Sequence, residues 1–110
     1  MQIEERTVGT VKVLDVKGQI IQGDLLLKDK INSVVNQGHK QILVNLAGVS
    51  YVDSAGLGEL VGAYTTVTRG GGKLKLSNVT KKTHDLLTIT KLVTVFETFD
   101  SEQEAVKSFS

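Results

Sequence analysis

The sequence predicts an α/β fold: one compact domain in which a mixed β-sheet of about five strands carries about four packed helices. Three observations lead there. Apolar residues change several times along the 110-residue chain between the two-residue period of strands and the 3.6-residue period of helices. After an opening third made of strands, the order runs helix, strand, helix, strand, helix, strand, helix. The run "QILVNL" at 41–46 is apolar without alternation, as expected of a central strand buried on both faces.

Each element has its own signal. Val11 and Val13 flank Lys12, then Leu14 and Val16 flank Asp15, so the strand alternation slips phase once. A bulge, or a strand covered on both faces, produces such a slip. Gly18 and Gly23 punctuate the exit, and Asp24 is placed to cap a helix whose apolar face is Leu27, Ile31, Val34 and Val35. Gly38 should close that helix in the left-handed conformation. Beyond "QILVNL" comes "SYVDSAGLGEL" (50–60), a strand-to-helix junction; from Leu57 the spacing Leu57, Leu60, Val61, Tyr64 is helical until "RGGG" at 69–72. Leu74 and Leu76 alternate with lysines as a strand. A third helix is expected over about 80–88 through Leu86 and Leu87, and "VFETF" reads as the last strand. Ser101-Glu102-Gln103-Glu104 is a capping-box signature for a terminal helix with Ala105, Val106 and Phe109 inward. Nothing resembles a linker, repeat or low-complexity segment, so residues 1–110 are read as a single domain.

Composition removes several classes of function. With 13 Lys and Arg against 12 Asp and Glu, the net charge is +1, too small a field to draw the chain to nucleic acid or anionic lipid. There is no cysteine, which excludes disulfides, thiolate nucleophiles and thiolate-bound zinc together. The N-terminal stretch lacks the apolar core of a secretory signal, and no apolar run reaches membrane-spanning length. A cytoplasmic protein with no membrane association is the expectation.

Candidate chemistry centres on Ser54. A nucleophile elbow needs Gly two residues before its serine, and here that residue is Val52. The two histidines, His39 in "QGHKQ" and His84 between Thr83 and Asp85, sit in polar surroundings typical of solvated surface. "GLGELVG" misses the dinucleotide fingerprint because its third glycine, Gly62, comes one residue late. "RGGGKL" lacks the first glycine and the Ser or Thr of a phosphate loop, and it leads into a strand. Gly56, Gly58 and Gly62 are therefore read as close-packing or tight-turn positions. No His, Asp and Glu set has metal-ligand spacing, so no metal or cofactor is expected. Arg69, Lys73, Lys75, Lys81 and Lys82 lack interleaved aromatics, which points to a solvated basic strand edge rather than a nucleic-acid surface. Two readings of Ser54 stay open: a helix N-cap, and a phosphoacceptor beside the positive end of a helix. Tyr51, Val52, Ala55 and Leu57 add apolar groups around this polar junction, in the kind of βα loop where binding sites of α/β folds gather.

"LAGVSYVDSAGLGEL" resembles the signature loop of STAS domains, in particular the bacterial anti-sigma factor antagonists. The likeness is densest over Asp53-Ser54-Ala55-Gly56-Leu57-Gly58 and extends to "ILVNL", "GGGKLKLSNV" and "VFETFDSEQEAV". The resemblance implies a STAS-like fold and a switch rather than an enzyme. In that family the motif serine is phosphorylated by a partner that is both anti-sigma factor and serine kinase, which makes Ser54 the acceptor. Ser50 falls where many members carry a second Ser or Thr, and Asp24 corresponds to an acidic loop residue that meets the partner. Partner contacts are thus expected at Asp24, at Ser50, Tyr51, Val52 and Asp53, and at Ser54 through Gly58. The implied partners are that kinase, which binds ATP and ADP itself, and a phosphatase that resets the switch. The chain would act as a monomer or weak dimer. The resemblance equally admits a STAS subunit of a stressosome-like or transporter-associated complex.

Overall fold

The computed structural model describes residues 1–21, 23 and 25–110. Among them, five strands form one sheet in chain order: β1 (Gln2–Val8), β2 (Val11–Ile20), β3 (Gln41–Val52), β4 (Lys73–Ser77) and β5 (Thr98–Phe99). β1 and β2 pair antiparallel through the turn at Gly9 and Thr10, where Gly9 has φ +60° and supplies the positive φ that a two-residue hairpin needs. The other pairs are parallel, so each needs a crossover. α1 (Leu26–Asn36) joins β2 to β3, and α2 (Ser54–Arg69) joins β3 to β4. α3 (Lys81–Ile89) and a 3-10 turn at Leu92–Thr94 join β4 to β5, and α4 (Glu102–Ser108) follows.

The sheet is covered on both faces, which accounts for the phase slip in β2. Leu14, Val16, Ile42, Val44 and Leu46 pack into the main core with Leu27, Ile31, Leu57, Leu60 and Leu87 of α1, α2 and α3. Val11, Val13 and Leu43 pack with Ala105 of α4 in a smaller core. Val13 and Leu14 are neighbours facing different cores. Bulging contributes as well, because the β2–β3 register breaks between Asp15 and Lys17 and again between Gly18 and Gln19.

α1 buries Leu27, Ile31 and Val34 and half-buries Val35. Gly38, at φ +93°, donates its N–H to Val35 O (3.0 Å) while His39 donates to Val34 O (3.2 Å), the paired bonds of a Schellman ending. Asp24, expected as the cap of this helix, lies outside the described residues; Leu25 holds the cap position without a side-chain bond. Ser101 caps α4 through its hydroxyl, which accepts the Glu104 N–H at 3.2 Å.

Three expectations need correction. β3 does not stop after "QILVNL" but continues to Val52, because its second half pairs with β2 from Lys17↔Gly48 to Ile20↔Val52. "VFETF" is a strand only at Thr98 and Phe99; Phe96 turns into the core, its ring edge-on to Tyr64 at 5.5 Å. The basic edge is solvated at Arg69, Lys73, Lys81 and Lys82 but not at Lys75. β4 pairs with β3 along its length and with β5 only at Leu76 and Ser77, yet Lys75 is only 5% exposed. Its stem packs under α4, and its ammonium donates to Ser108 O and Oγ (both 3.0 Å) above the Phe109 ring at 4.6 Å. An ammonium satisfied by a helix-end carbonyl and an aromatic face can be tolerated out of water.

A polar network ties α4 to the hairpin. Arg6 Nε meets Asp15 Oδ2 at 2.5 Å, and Arg6 also pairs with Glu102 on α4. Asn45 Nδ2 donates to Asp15 Oδ1 at 2.9 Å. The Arg6 guanidinium, aided by Asn45, holds the Asp15 carboxyl below its ordinary range against the opposing effect of burial.

Candidate functional site: a groove beside an exposed serine

The site is built where β3 ends and α2 begins. Asp53, in extended conformation at φ −92° and ψ 177°, is the N-cap of α2: its carboxylate accepts the Gly56 N–H at 2.5 Å, and its carbonyl accepts the Leu57 N–H at 2.8 Å. The cap is thus Asp53, not Ser54. Ser54 is the first residue of the helix, exposed, and its hydroxyl has no hydrogen-bond partner among the described residues. The N–H groups of Ser54 and Ala55 are likewise unpaired among the described residues, as the geometry of a helix start dictates.

Gly56 fixes this turn in place. A Cβ there would fall 1.8 Å from Ile20 O, so only glycine lets the helix start lie against the end of β2. The Asp53 N–H, donating to the same Ile20 O at 3.4 Å, reinforces the contact. Gly58 and Gly62 differ. Both are exposed within α2 with nothing near a virtual Cβ, so they are neither close-packing nor turn positions, contrary to expectation.

The expected contact residues divide by exposure. Ser50, Tyr51, Ser54, Ala55 and Gly58 are exposed and Asp53 is half-buried, whereas Val52, Gly56 and Leu57 are buried and shape the surface from beneath. Ser50 Oγ donates to Gly18 O at 3.3 Å. Asp24 lies outside the described residues.

Sequence reasoning missed a second wall. Ser50 through Ser54 form one side of a groove of about 410 Å³, and α3 with Thr80 before it forms the other. Lys82, Asp85, Leu86 and Ile89 recur at i, i+3, i+4 and i+7, so they share one helical face along the groove. The same helix sends Thr83 and Leu87 into the protein. An apolar residue standing off that buried stripe, Ile89, was the available signal; it is 78% exposed, and Tyr51 across the groove is 50% exposed. The groove carries Asp53, Asp85 and Lys82 as its charged groups, and neither His39 nor His84 lines it. Among the described residues no three His, Asp or Glu side chains gather as metal ligands. The arrangement presents a serine hydroxyl to an incoming group, at the positive end of a helix and beside uncovered apolar surface.

The comparisons with known proteins agree with this architecture. The STAS domain family model matches residues 2–105. The anti-sigma-B factor antagonist of Bacillus subtilis is 33% identical over 85 residues, covering 76% of this chain and 77% of that protein. A candidate anti-sigma factor antagonist from Thermotoga maritima has a crystal structure that superposes with a TM-score of 0.87 at 23% identity, covering 96% of this chain and 92% of the other. The phosphorylated form of the Bacillus cell fate determinant SpoIIAA superposes with a TM-score of 0.75 at 20% identity, covering 99% and 100%. No described helix is long and apolar enough to cross a membrane. A mixed five-stranded sheet, an Asp-capped helix opening on Ser54 and a family match over nearly the whole chain lead to one assignment: the chain belongs to the STAS domain family.

Proposed function

We propose that the chain is an anti-sigma factor antagonist, a cytoplasmic binding module without catalytic activity of its own. Unmodified, it docks on an anti-sigma factor that is also a serine kinase and so releases the sigma factor. Phosphorylation of Ser54 by that kinase, with ATP bound on the kinase, ends the interaction, and a phosphatase restores it. One observation carries this reading: the unpartnered Ser54 hydroxyl is presented at the first position of α2, on the rim of a groove with uncovered apolar surface. The names of the relatives support the general role.

The physical consequences of a phosphate there follow from its neighbours. It would add roughly −1.5 to −2 charges and three acceptor oxygens. The unpaired N–H groups of Ser54 and Ala55 can take up part of that charge, so the domain need not unfold. The Asp53 carboxylate already occupies the Gly56 N–H, which places a second negative charge in the same turn. A docked partner would have to desolvate both. A loss of about 3 kcal/mol in binding corresponds to more than a hundredfold in affinity.

The test is phosphate incorporation from ATP by the cognate kinase. Ser54→Ala should fold as the wild type does and take up none, and Ser54→Glu should bind the kinase more weakly. Full labelling of Ser54→Ala, with Ser50 unlabelled, would overturn the assignment.

A further inference from the structure

We infer that α3 is the second half of the kinase-docking surface, with Ile89 and Tyr51 as its apolar anchors and Lys82 and Asp85 setting its charge pattern; this rests on the reading of Ser54 given above. The occupant follows from geometry. Any kinase that phosphorylates Ser54 must bring its bound nucleotide to within bonding distance of Ser54 Oγ, and Ser54 lines the same groove as Ile89. The partner's surface therefore covers the groove, and the groove's opposite wall is α3.

The side chains on that wall suit a contact rather than open solvent. Ile89 is the most exposed large apolar residue among those described, and it lies on the same helical face as half-buried Leu86. Tyr51 faces the groove from β3, an aromatic with an apolar body and a polar tip, of the kind that anchors interfaces. The strand beneath it is open on that side: β3 pairs with β4 only as far as Asn45↔Ser77, so no described strand covers its edge from Leu46 to Val52. Lys82 and Asp85 lie three residues apart on the α3 face, exposed opposite charges that a partner can match or mismatch. The Ser54 end of the groove would thus carry the switch, and the α3 wall would select the partner.

The experiment measures the affinity of the unmodified full-length chain for the cognate kinase, together with steady-state kinetics of its phosphorylation. Ile89→Lys, compatible with its place at the end of a helix, should weaken binding by roughly 10- to 100-fold, with the kinetic loss falling mainly on KM. Ile89→Leu should restore binding to near wild type, and Val95→Lys, at an exposed apolar residue outside this groove, should change nothing. Circular dichroism of each variant establishes that the fold is kept. If Ile89→Lys binds as the wild type does while Ser54→Glu does not, the α3 assignment is wrong and the Ser54 reading stands. If Ser54→Ala is still labelled in full, both fall together.

Discussion

Adding one methyl group at Gly56 should do more harm than the same change at either of the other glycines inside α2, Gly58 and Gly62. The new Cβ would lie 1.8 Å from Ile20 O, 2.5 Å from Ile20 C and 3.1 Å from Asp53 Oδ1. Non-bonded heavy atoms settle at about 3.5 Å, so the helix start or the end of β2 must retreat by roughly 1.7 Å. The obstacle is backbone on both sides, which cannot rotate away as a side chain could. Overpacking of this kind costs about 1–3 kcal/mol. Loss of the Asp53 N–H bond to Ile20 O adds about 1 kcal/mol. Against these, replacing Gly by Ala inside a helix returns about 0.5–1 kcal/mol. The net expectation is a destabilisation of about 1–3.5 kcal/mol, or roughly 10 °C in Tm at the middle of that range. Gly58→Ala and Gly62→Ala supply the contrast, since nothing lies near either virtual Cβ and only the helix-propensity gain applies. Each should stabilise by about 0.5–1 kcal/mol. Urea unfolding followed by far-UV circular dichroism gives all three values under one protocol. Gly56→Ala at or above wild-type stability would refute the close-approach argument, as would an equal loss at Gly58→Ala.

Two further predictions concern the cap and the polar network. Asp53→Ala removes the side-chain acceptor of the Gly56 N–H and should cost about 1 kcal/mol, while Asp53→Asn should keep most of it; thermal melts distinguish the two. The Asp15 carboxyl is held below its ordinary range chiefly by Arg6, so its contribution is fully present above the unfolded value near ~4 and is lost as pH falls through the lower folded value. Glu5, lowered chiefly by Lys30, adds in the same direction. Arg6→Gln should therefore be less stable than wild type by about 1 kcal/mol at pH 7. That gap should close in strong acid; a constant gap from pH 7 to pH 2 would show that Arg6 acts through packing alone.

Much of this architecture was legible because it rests on local pattern. The face Leu27, Ile31, Val34 and the run "QILVNL" each announce burial within a few residues, and Ser101 with Glu104 marks a helix start. What escaped depends on distant parts of the chain. The end of β3 at Val52 is set by pairing with β2, and no periodicity in "AGVSYV" reveals it. Lys75 looked solvated because alternation shows which residues share a face, not that α4 covers it. Local sequence allowed either Asp53 or Ser54 to cap α2, and only the backbone decides. The α3 wall left only the off-stripe Ile89 as a local sign, and its place escaped for the same reason: Tyr51 and Ile89 meet one groove only after the crossover through β4 has been made.

β3 is held unevenly along its length. As far as Asn45 it lies between two strands, and from Leu46 to Val52, among the described residues, it is flanked by a strand on one side only. Local opening is easiest where backbone bonds are fewest and contact with solvent is greatest. Amide exchange along this one strand should then form a gradient, slow at Ile42–Val44 and faster toward Tyr51. The segment that leads to Ser54 can adapt to a visitor while the other end of the same strand stays locked in the core, so rigidity and receptivity are graded along a single piece of backbone.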